Sequence, residues 1–455
     1  MSDHFKRSDH HQQPYLLPPS LQDWLPQDHV AFFLRDVLDQ LDLSDIRRAY
    51  SGGPKGQPPY DPQMMLAVLI YAYCMGIHSS RKIEKETYED VAVRILASNE
   101  HPHYTTIAAF RRTHLKRFKE LFKQVLILCE QAGLVKLGHV SLDGSKIKAN
   151  ASKHKAMSYD RMQKREKEIQ EQIEKLTEQA EKADSEEDER YGKDKRGDEL
   201  PEELRIKKAR LEKIRQAKQA LEETARQAAQ EKQDQRAELE RQAHEEGRQL
   251  GGHPPKIDPT PDPKAQRNFT DPESRIMKGP DGFVQAYNAQ AVVDEKAQIV
   301  VACDVTNCPV DTQQVEPMMQ QLRENLGRNP EKASLDAGYY SEANEENLLR
   351  RGIDPYIATG RQKHDEKVEG SPRGRIPKNA SAKERMKRKL MTRRGKKIYS
   401  RRKVIIEPVF GQIKTRGFRK FSHRGQEKAR GEWAFVCTIH NLLKLFRAGN
   451  RTTFN

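Results

Sequence analysis

The chain has 455 residues, 35% apolar and 33% charged, which is too long for one simple core and leaves material for a moderate core plus solvated helices. Its net charge of +15, from 82 Lys and Arg against 67 Asp and Glu, points to a polyanionic partner. There is no long apolar run, no apolar leader and no paired cysteine spacing among the five cysteines, so a membrane span, secretion, a zinc site and a disulfide framework are not expected, and a reducing cytoplasm is.

The first elements read as helices. Residues from Asp28 through Leu34, Leu38 and Leu41 have amphipathic spacing, with Asp28 near the N-cap. A Gly/Pro-rich loop covers Ser51 to Pro62. Met64 to Met75 is almost wholly apolar and predicts a buried helix, and Ser79-Ser80-Arg81 opens another with a capping signature. From Thr105 to about residue 130, Ile107, Phe110, Leu115 and Phe118 face inward, while Arg111, Arg112, Lys116, Arg117 and Lys119 cover the exposed side. Short helices ending in a basic one suggest a helix-turn-helix-like, all-α DNA-binding domain over 1–135. An ordinary solvated helix face gives the same pattern. Trp24 and Trp433 lie in apolar surroundings suited to packing.

Val140 to Asp143 reads as a strand. The composition then shifts to Glu, Lys, Gln, Arg and Ala from Tyr159 to Arg248. Met162, Ile169, Ile173, Leu176 and Ala180, and again Leu211, Ile214 and Leu221, follow the spacing of a heptad seam. A break at about Asp184 to Pro201 separates the two stretches. An inserted coiled-coil hairpin with its linker, 159–266, is the simplest account; the linker begins at Gly251-Gly252-His253-Pro254-Pro255, and partial disorder is the alternative because Lys218 interrupts a thin seam.

Strands follow at Phe283–Asp294 and Ile299–Val305, joined by a turn. A helix at Gln313–Leu326, a strand at Ala333–Asp336, a helix at Glu342–Arg351 and a short strand at Pro355–Ala358 come next. This order predicts an α/β, ribonuclease-H-like domain assembled from 136–158 and 267–450. A closing helix with Trp433, Phe435, Ile439, Leu442 and Leu443 is expected to cover its sheet.

Two strands repeat one motif, Ser141-Leu142-Asp143-Gly144 and Ser334-Leu335-Asp336-Ala337. Pro408 is tolerated only in a first helical turn, which puts Glu407 at a helix start, with Lys414 two turns later on the same face. Carboxylates crowded at sheet ends repel one another unless a divalent cation neutralises them, so Asp143, Asp336 and Glu407 suit two Mg²⁺ ions, with Mn²⁺ as a substitute. The bland alternative makes both aspartates turn residues. Tyr399 and Arg402 stand where they can clamp a DNA backbone. The window 361–420 holds 22 Lys and Arg against 5 Asp and Glu, a net of +17.

Tyr399-Ser400-Arg401-Arg402, Glu407 and Lys414 together resemble the Tyr–Arg–Glu–Lys signature of bacterial insertion-sequence transposases of the DDE superfamily. Four residues separate Arg402 from Glu407, against the usual three. Pro18-Pro19-Ser20-Leu21, Tyr60-Asp61-Pro62, Ser79-Ser80-Arg81 and Thr105-Thr106-Ile107 followed by Phe110-Arg111-Arg112 resemble the InsH-type N-terminal domain, with Pro102-His103-Tyr104 where the family often reads Pro-Asp-His. Leu142-Asp143-Gly144-Ser145-Lys146-Ile147-Lys148-Ala149-Asn150 and Leu335-Asp336-Ala337-Gly338-Tyr339 resemble its two aspartate motifs.

The resemblance implies Mg²⁺-dependent end cleavage and strand transfer by Asp143, Asp336 and Glu407, with Tyr399, Arg402 and Lys414 positioning terminal phosphates. It implies double-stranded DNA as partner (element ends and target), a homodimer on DNA, and a cytoplasmic, nucleoid-associated protein. A nuclease that cuts without joining, and a catalytically inactive DNA-binding coiled-coil protein, are the competing expectations.

Overall fold

The computed structural model describes residues 20–50, 58–191, 202–245, 258–279, 282–360, 377 and 380–449; for 179–191 and 202 it describes the backbone alone. Pro18-Pro19, most of the Gly/Pro-rich loop, the Ala180 side chain, the break before Pro201, the Gly251–Pro255 linker and the basic stretch 361–376 lie outside the described residues.

Among the described residues, after a 3₁₀ turn at Leu21–Trp24, seven α-helices come first: α1 (Val30–Gln40), α2 (Ser44–Arg48), α3 (Pro62–Cys74), α4 (Ser80–Glu89), α5 (Val91–Leu96), α6 (Tyr104–His114) and α7 (Phe118–Gln131). Asp61 caps α3 by accepting from the amides of Gln63 and Met64, and Met64 to Cys74 are all buried. The cap of α1 is His29, whose Nδ1 accepts from Ala31, and not Asp28. Ser79 precedes α4 but makes no side-chain cap bond. The expected helix after Thr105 is broken by a 3₁₀ turn at Leu115–Arg117.

Arg111 departs from expectation. Its guanidinium is buried, donating to Tyr73 Oη (3.0 Å), His78 O (2.8 Å) and Ser80 Oγ (3.4 Å), so it ties α6 to α3 and α4 instead of facing outward. Arg112 and Lys116 are exposed. Trp24 is 52% exposed and so does not join the core.

The sheet is mixed. Strand β1 (Val140–Lys148) extends past Asp143, which therefore lies within the strand and not at its end. A small pair follows, β2 (Ala156–Ser158) with β3 (Gln266–Asn268), and between them run two long helices, α8 (Tyr159–Tyr191) and α9 (Glu202–Glu245). The helices pack through Tyr159, Met162, Ile169, Leu211, Ile214, Ala217 and Leu221, close to the expected seam. Lys218 does not spoil that seam, because its ammonium lies 2.9 Å from Glu166, which also takes Arg215.

Strands β4 (Arg275–Gly279), β5 (Gly282–Asp294) and β6 (Val300–Thr306) follow, of which β4 has no counterpart in the sequence-based expectation. Then come α10 (Val315–Leu326), β7 (Lys332–Leu335), α11 (Glu342–Arg350) and β8 (Asp354–Ile357). Strand β5 runs antiparallel to β1, β4 and β6, whereas β7 is parallel to both β1 and β8. Helices α12 (Ala382–Met391), α13 (Arg393–Ile405), α14 (Glu407–Thr415) and α15 (Gln426–Gly449) are the last elements among the described residues.

Helix α15 packs against α7 and α3 on one side and β6 on the other, so the N-terminal helices and the sheet share one continuous apolar core. Gly431 permits the crossing, since a Cβ there would run into the backbone of Leu115. Trp433 is fully buried and donates from Nε1 to Gln290 O at 2.8 Å. The closing helix covers the sheet as expected.

Candidate active site

Parallel pairing sets Ser141 beside Ser334 and Leu142 beside Leu335. The next residues along, Asp143 and Asp336, are therefore neighbours on the same face of the sheet, since side chains alternate with a period of two. Asp143 lies in β1, while Asp336 directly follows β7 and caps the next 3₁₀ turn by accepting from Gly338 N at 2.8 Å. Helix α13 packs on β1, β7 and β8 and brings Arg402 over the two strands. One guanidinium nitrogen of Arg402 lies 2.9 Å from Asp143 Oδ2 and the other 3.5 Å from Glu407 Oε1.

Glu407 opens α14 as expected, because the chain cannot donate from Pro408 and so begins a new helix there. Its carboxylate is half exposed, whereas Asp143 and Arg402 are mostly covered. Burial pushes the Asp143 carboxyl up to about 6, although Arg402 and the Gly144 amide pull the other way, and the nearby charge of Asp336 adds to the rise. Burial by itself would lower the guanidinium of Arg402, but Asp143, Tyr399 and Asp336 hold it above its ordinary value. Burial raises Tyr399, whose hydroxyl also feels Arg402, Asp336 and Asp143. Burial lowers the Lys414 ammonium, which feels Asp143 as an attractive charge.

Of the nine expected site residues, Arg402 thus touches Asp143 and Glu407, and Asp336, Tyr399 and Lys414 lie near enough to Asp143 to exchange charge effects with it. Arg112 and Lys116 are exposed on the N-terminal helices, and Arg111 is buried among them.

A polar network on the other face of the same strands went unread. Asp311 Oδ1 accepts from Asn288 Nδ2 (2.6 Å), Gln290 Nε2 (3.0 Å) and Lys146 Nζ (3.0 Å). Tyr339 Oη donates to Gln290 Oε1. The sequence signal was two amides, Asn288 and Gln290, at alternate positions of an otherwise apolar strand, where a fully buried amide needs a partner. Asp311 gave none, since an aspartate before a helix reads as a cap, and here it makes no cap bond.

Among the described residues no three acidic, imidazole or thiol groups already converge within reach of one metal ion. The donor set nonetheless fits divalent cations: hard carboxylate oxygens, two of them on adjacent strands, with the Arg402 guanidinium holding a positive charge between the first and the third.

Residues 19–113 match the family described as a transposase domain (DUF772), and residues 255–442 match the transposase DDE domain. No curated protein and no solved structure matches the chain. Asp336 and Glu407 fall inside the second match, whereas Asp143 lies between the two matches and joins the site through the β1–β7 pairing. Two transposase matches spanning well over half of the residues agree with the site's architecture, and the chain belongs to the DDE transposases of insertion sequences.

Proposed function

We propose that this transposase cuts and joins DNA at the Asp143–Asp336–Glu407 centre, and that its catalytic domain is ribonuclease-H-like with a coiled-coil hairpin, α8 and α9, inserted after the first strand. The fold reading is supported by the connection order: β1, the antiparallel pair β5–β6, then β7 and β8 parallel to β1, each preceded by a helix. The single observation that carries the chemistry is the Arg402 bridge from Asp143 to Glu407, on a strand adjacent to Asp336.

Divalent ions, when bound, lower the pKa of water and offset charge building on phosphodiester oxygens. Asp143, Asp336 and Glu407 would supply the oxygens to hold two Mg²⁺, with Mn²⁺ as a substitute. Arg402 holds Asp143 and Glu407 together, and its guanidinium would offer donors to a phosphate at the same place. Lys414 and Tyr399 contribute a cation and a hydroxyl that orient the element's terminal phosphate.

In the first step a water oxygen bonds to phosphorus, the bond to the 3′-oxygen breaks, the water gives up one proton to solvent, and the departing 3′-oxygen takes one up to become a hydroxyl. In the second, the oxygen of the freed 3′-hydroxyl bonds to a target phosphorus and gives up its proton, while the target's 3′-oxygen is displaced and takes up a proton from solvent. Both are in-line displacements at one phosphorus geometry, so a single site serves both.

The partner is double-stranded DNA, both element ends and target. Helices α12 and α13 carry exposed Lys383, Arg393, Arg394, Lys396, Lys397 and Lys403 on the segment that leads into Arg402 and Glu407, a concentration of charge of the kind that tracks phosphates. Two chains would act together on two ends, with the α8–α9 hairpin serving assembly.

The test is Mg²⁺-dependent nicking of DNA that flanks the coding sequence, comparing wild type with Glu407→Gln. Loss in the variant alone is expected, and equal activity sinks the assignment. A strand-transfer assay with precut ends distinguishes joining from cutting alone, and DNA binding by Asp143→Ala separates catalysis from a scaffold role. Among the described residues no helix is long and apolar enough to cross a membrane.

A further inference from the structure

Beyond the catalytic centre, three segments remote in sequence are knitted together at the far end of β1. Phe421 N donates to Lys148 O, and Lys148 and Lys420 form an isolated parallel bridge. Asn150 Nδ2 donates to Ser422 O at 2.7 Å, while Arg424 Nε donates to Asn150 O at 3.2 Å. The turn at Lys153–Lys155 is held from the other side by Asn268 Nδ2 on Ser152 O and by Phe269 N on Lys155 O.

The consequence is a cluster of exposed cations: Lys148, Lys153, Lys155, Arg419, Lys420 and Arg424. Among the described residues none of the six takes part in an ion pair. The neighbouring acids are otherwise engaged. Glu432, almost fully buried, accepts from the amides of Ser422 and His423. Asp271 accepts from Tyr287 Oη and Gly425 N, and Glu273 from Gln426 N. Inward carboxylates therefore brace the loop's backbone, and its cations are left to solvent. So many uncompensated positive charges repel one another unless a polyanion lies across them.

Resting on the transposase reading above, we propose that this surface grips the phosphate backbone of duplex DNA about five base pairs from the phosphodiester bound at Asp143. The spacing follows from the strand. Lys148 is five residues beyond Asp143 in one extended element, so at ~3.4 Å per residue its backbone lies ~17 Å on. The odd step turns it, with its parallel bridge partner Lys420, toward the opposite face, so the cations meet the duplex where it passes the end of the strand. B-form DNA rises by the same ~3.4 Å per base pair. The loop also begins directly after α14, the helix that Glu407 opens, and Arg419 donates to Lys414 O at 3.3 Å, so the loop is tethered to the helix that carries the third carboxylate.

The experiment uses the full chain with three exposed side chains removed, Lys148→Ala, Lys153→Ala and Lys420→Ala together. None of these side chains braces the loop, and an unchanged melting curve checks that. The first arm measures binding to random-sequence duplex DNA against salt concentration. Three lost phosphate contacts reduce the slope of log affinity against log salt by roughly 2 to 3. A control removes the same charge elsewhere (Lys213→Ala, Arg323→Ala and Arg350→Ala) and is expected to leave the slope near wild type. The second arm places neutral methylphosphonates along the DNA that flanks the coding sequence. Those about five base pairs from the nick should weaken wild type and leave the triple variant unaffected.

An unchanged slope in the triple variant, or a control loss as large, overturns the surface while Mg²⁺-dependent nicking by wild type leaves the transposase reading intact. Conversely, a chain that loses slope only in the triple variant but never nicks DNA overturns the catalytic reading and keeps the surface.

Discussion

Ser141 Oγ and Ser334 Oγ lie 2.7 Å apart in the buried interior, each two residues before a site aspartate. This hydroxyl pair locks the β1–β7 register, so it indirectly aligns Asp143 with Asp336. Removing one partner strands the other in a dry environment, whereas removing both removes the need. Ser141→Ala is therefore expected to lower unfolding free energy by about 1 kcal/mol. The double variant with Ser334→Ala should cost less than twice that in a denaturant titration. A strictly additive pair would show that the two hydroxyls do not interact.

Gly144, one residue after Asp143, has no room for a methyl group. A Cβ there would sit 2.7 Å from Asn288 Oδ1 and closer still to the Gln290 amide. Both amides are pinned by Asp311 and cannot retreat. Gly144→Ala should cost about 1–3 kcal/mol by overpacking and should depress catalysis by shifting the neighbouring aspartate. Wild-type melting and wild-type nicking rates would contradict this.

Arg402 joins two carboxylates before any cation does. Arg402→Ala is expected to lower nicking by about 10²- to 10³-fold, the scale for losing one preorganised charge donor. It also leaves Asp143 buried without its partner, so the metal-free variant should be less stable than wild type. Added Mg²⁺ should then raise its melting temperature more than it raises that of wild type. Equal shifts in the two proteins would mean that arginine and cation do not share the same carboxylates.

Two neighbouring arginines on α6 separate packing from binding. Arg111 is buried with three hydrogen-bonding partners and Arg112 is exposed. Arg111→Ala should destabilise the fold by roughly 3 kcal/mol, through lost charge-assisted bonds to buried acceptors. Arg112→Ala with Lys116→Ala should leave melting unchanged and lower the salt slope of DNA binding by up to about 2. The reverse pattern would place the N-terminal DNA contact elsewhere.

His440 gives the pH dependence a definite sign. Its imidazole is buried, Nε2 faces Gln298 O at 2.8 Å, and burial pushes its pKa down to about 3. The unfolded chain protonates this group near its ordinary 6.5 while the folded chain stays neutral. The stability it contributes is complete above about 6.5 and is lost as pH falls toward 3, by up to about 1.4 kcal/mol per pH unit. Stability of wild type should therefore fall more steeply between those values than that of His440→Gln. Parallel curves would show that the folded protein accepts the proton.

What the sequence determined by itself was local: apolar spacing marked Met64–Cys74 and the α8–α9 seam, small residues followed by an acid marked the two aspartates, and Pro408 dated the start of α14 to Glu407. Each of these is a preference of neighbouring residues, readable along the chain. Tertiary structure decided the rest. Whether Arg111 faces water depended on Tyr73 and His78 from other helices, and the length of β1 past Asp143 on a long partner strand, β5. Asp311 came under Lys146, Asn288 and Gln290 only through the return of β5 and β6, and the cations at the end of β1 met only when the loop after α14 folded back on Lys148. Contacts between residues on different elements, from some twenty positions apart to more than a hundred, leave no periodic trace in the sequence, because the energy that selects them comes from burial and charge in the assembled core.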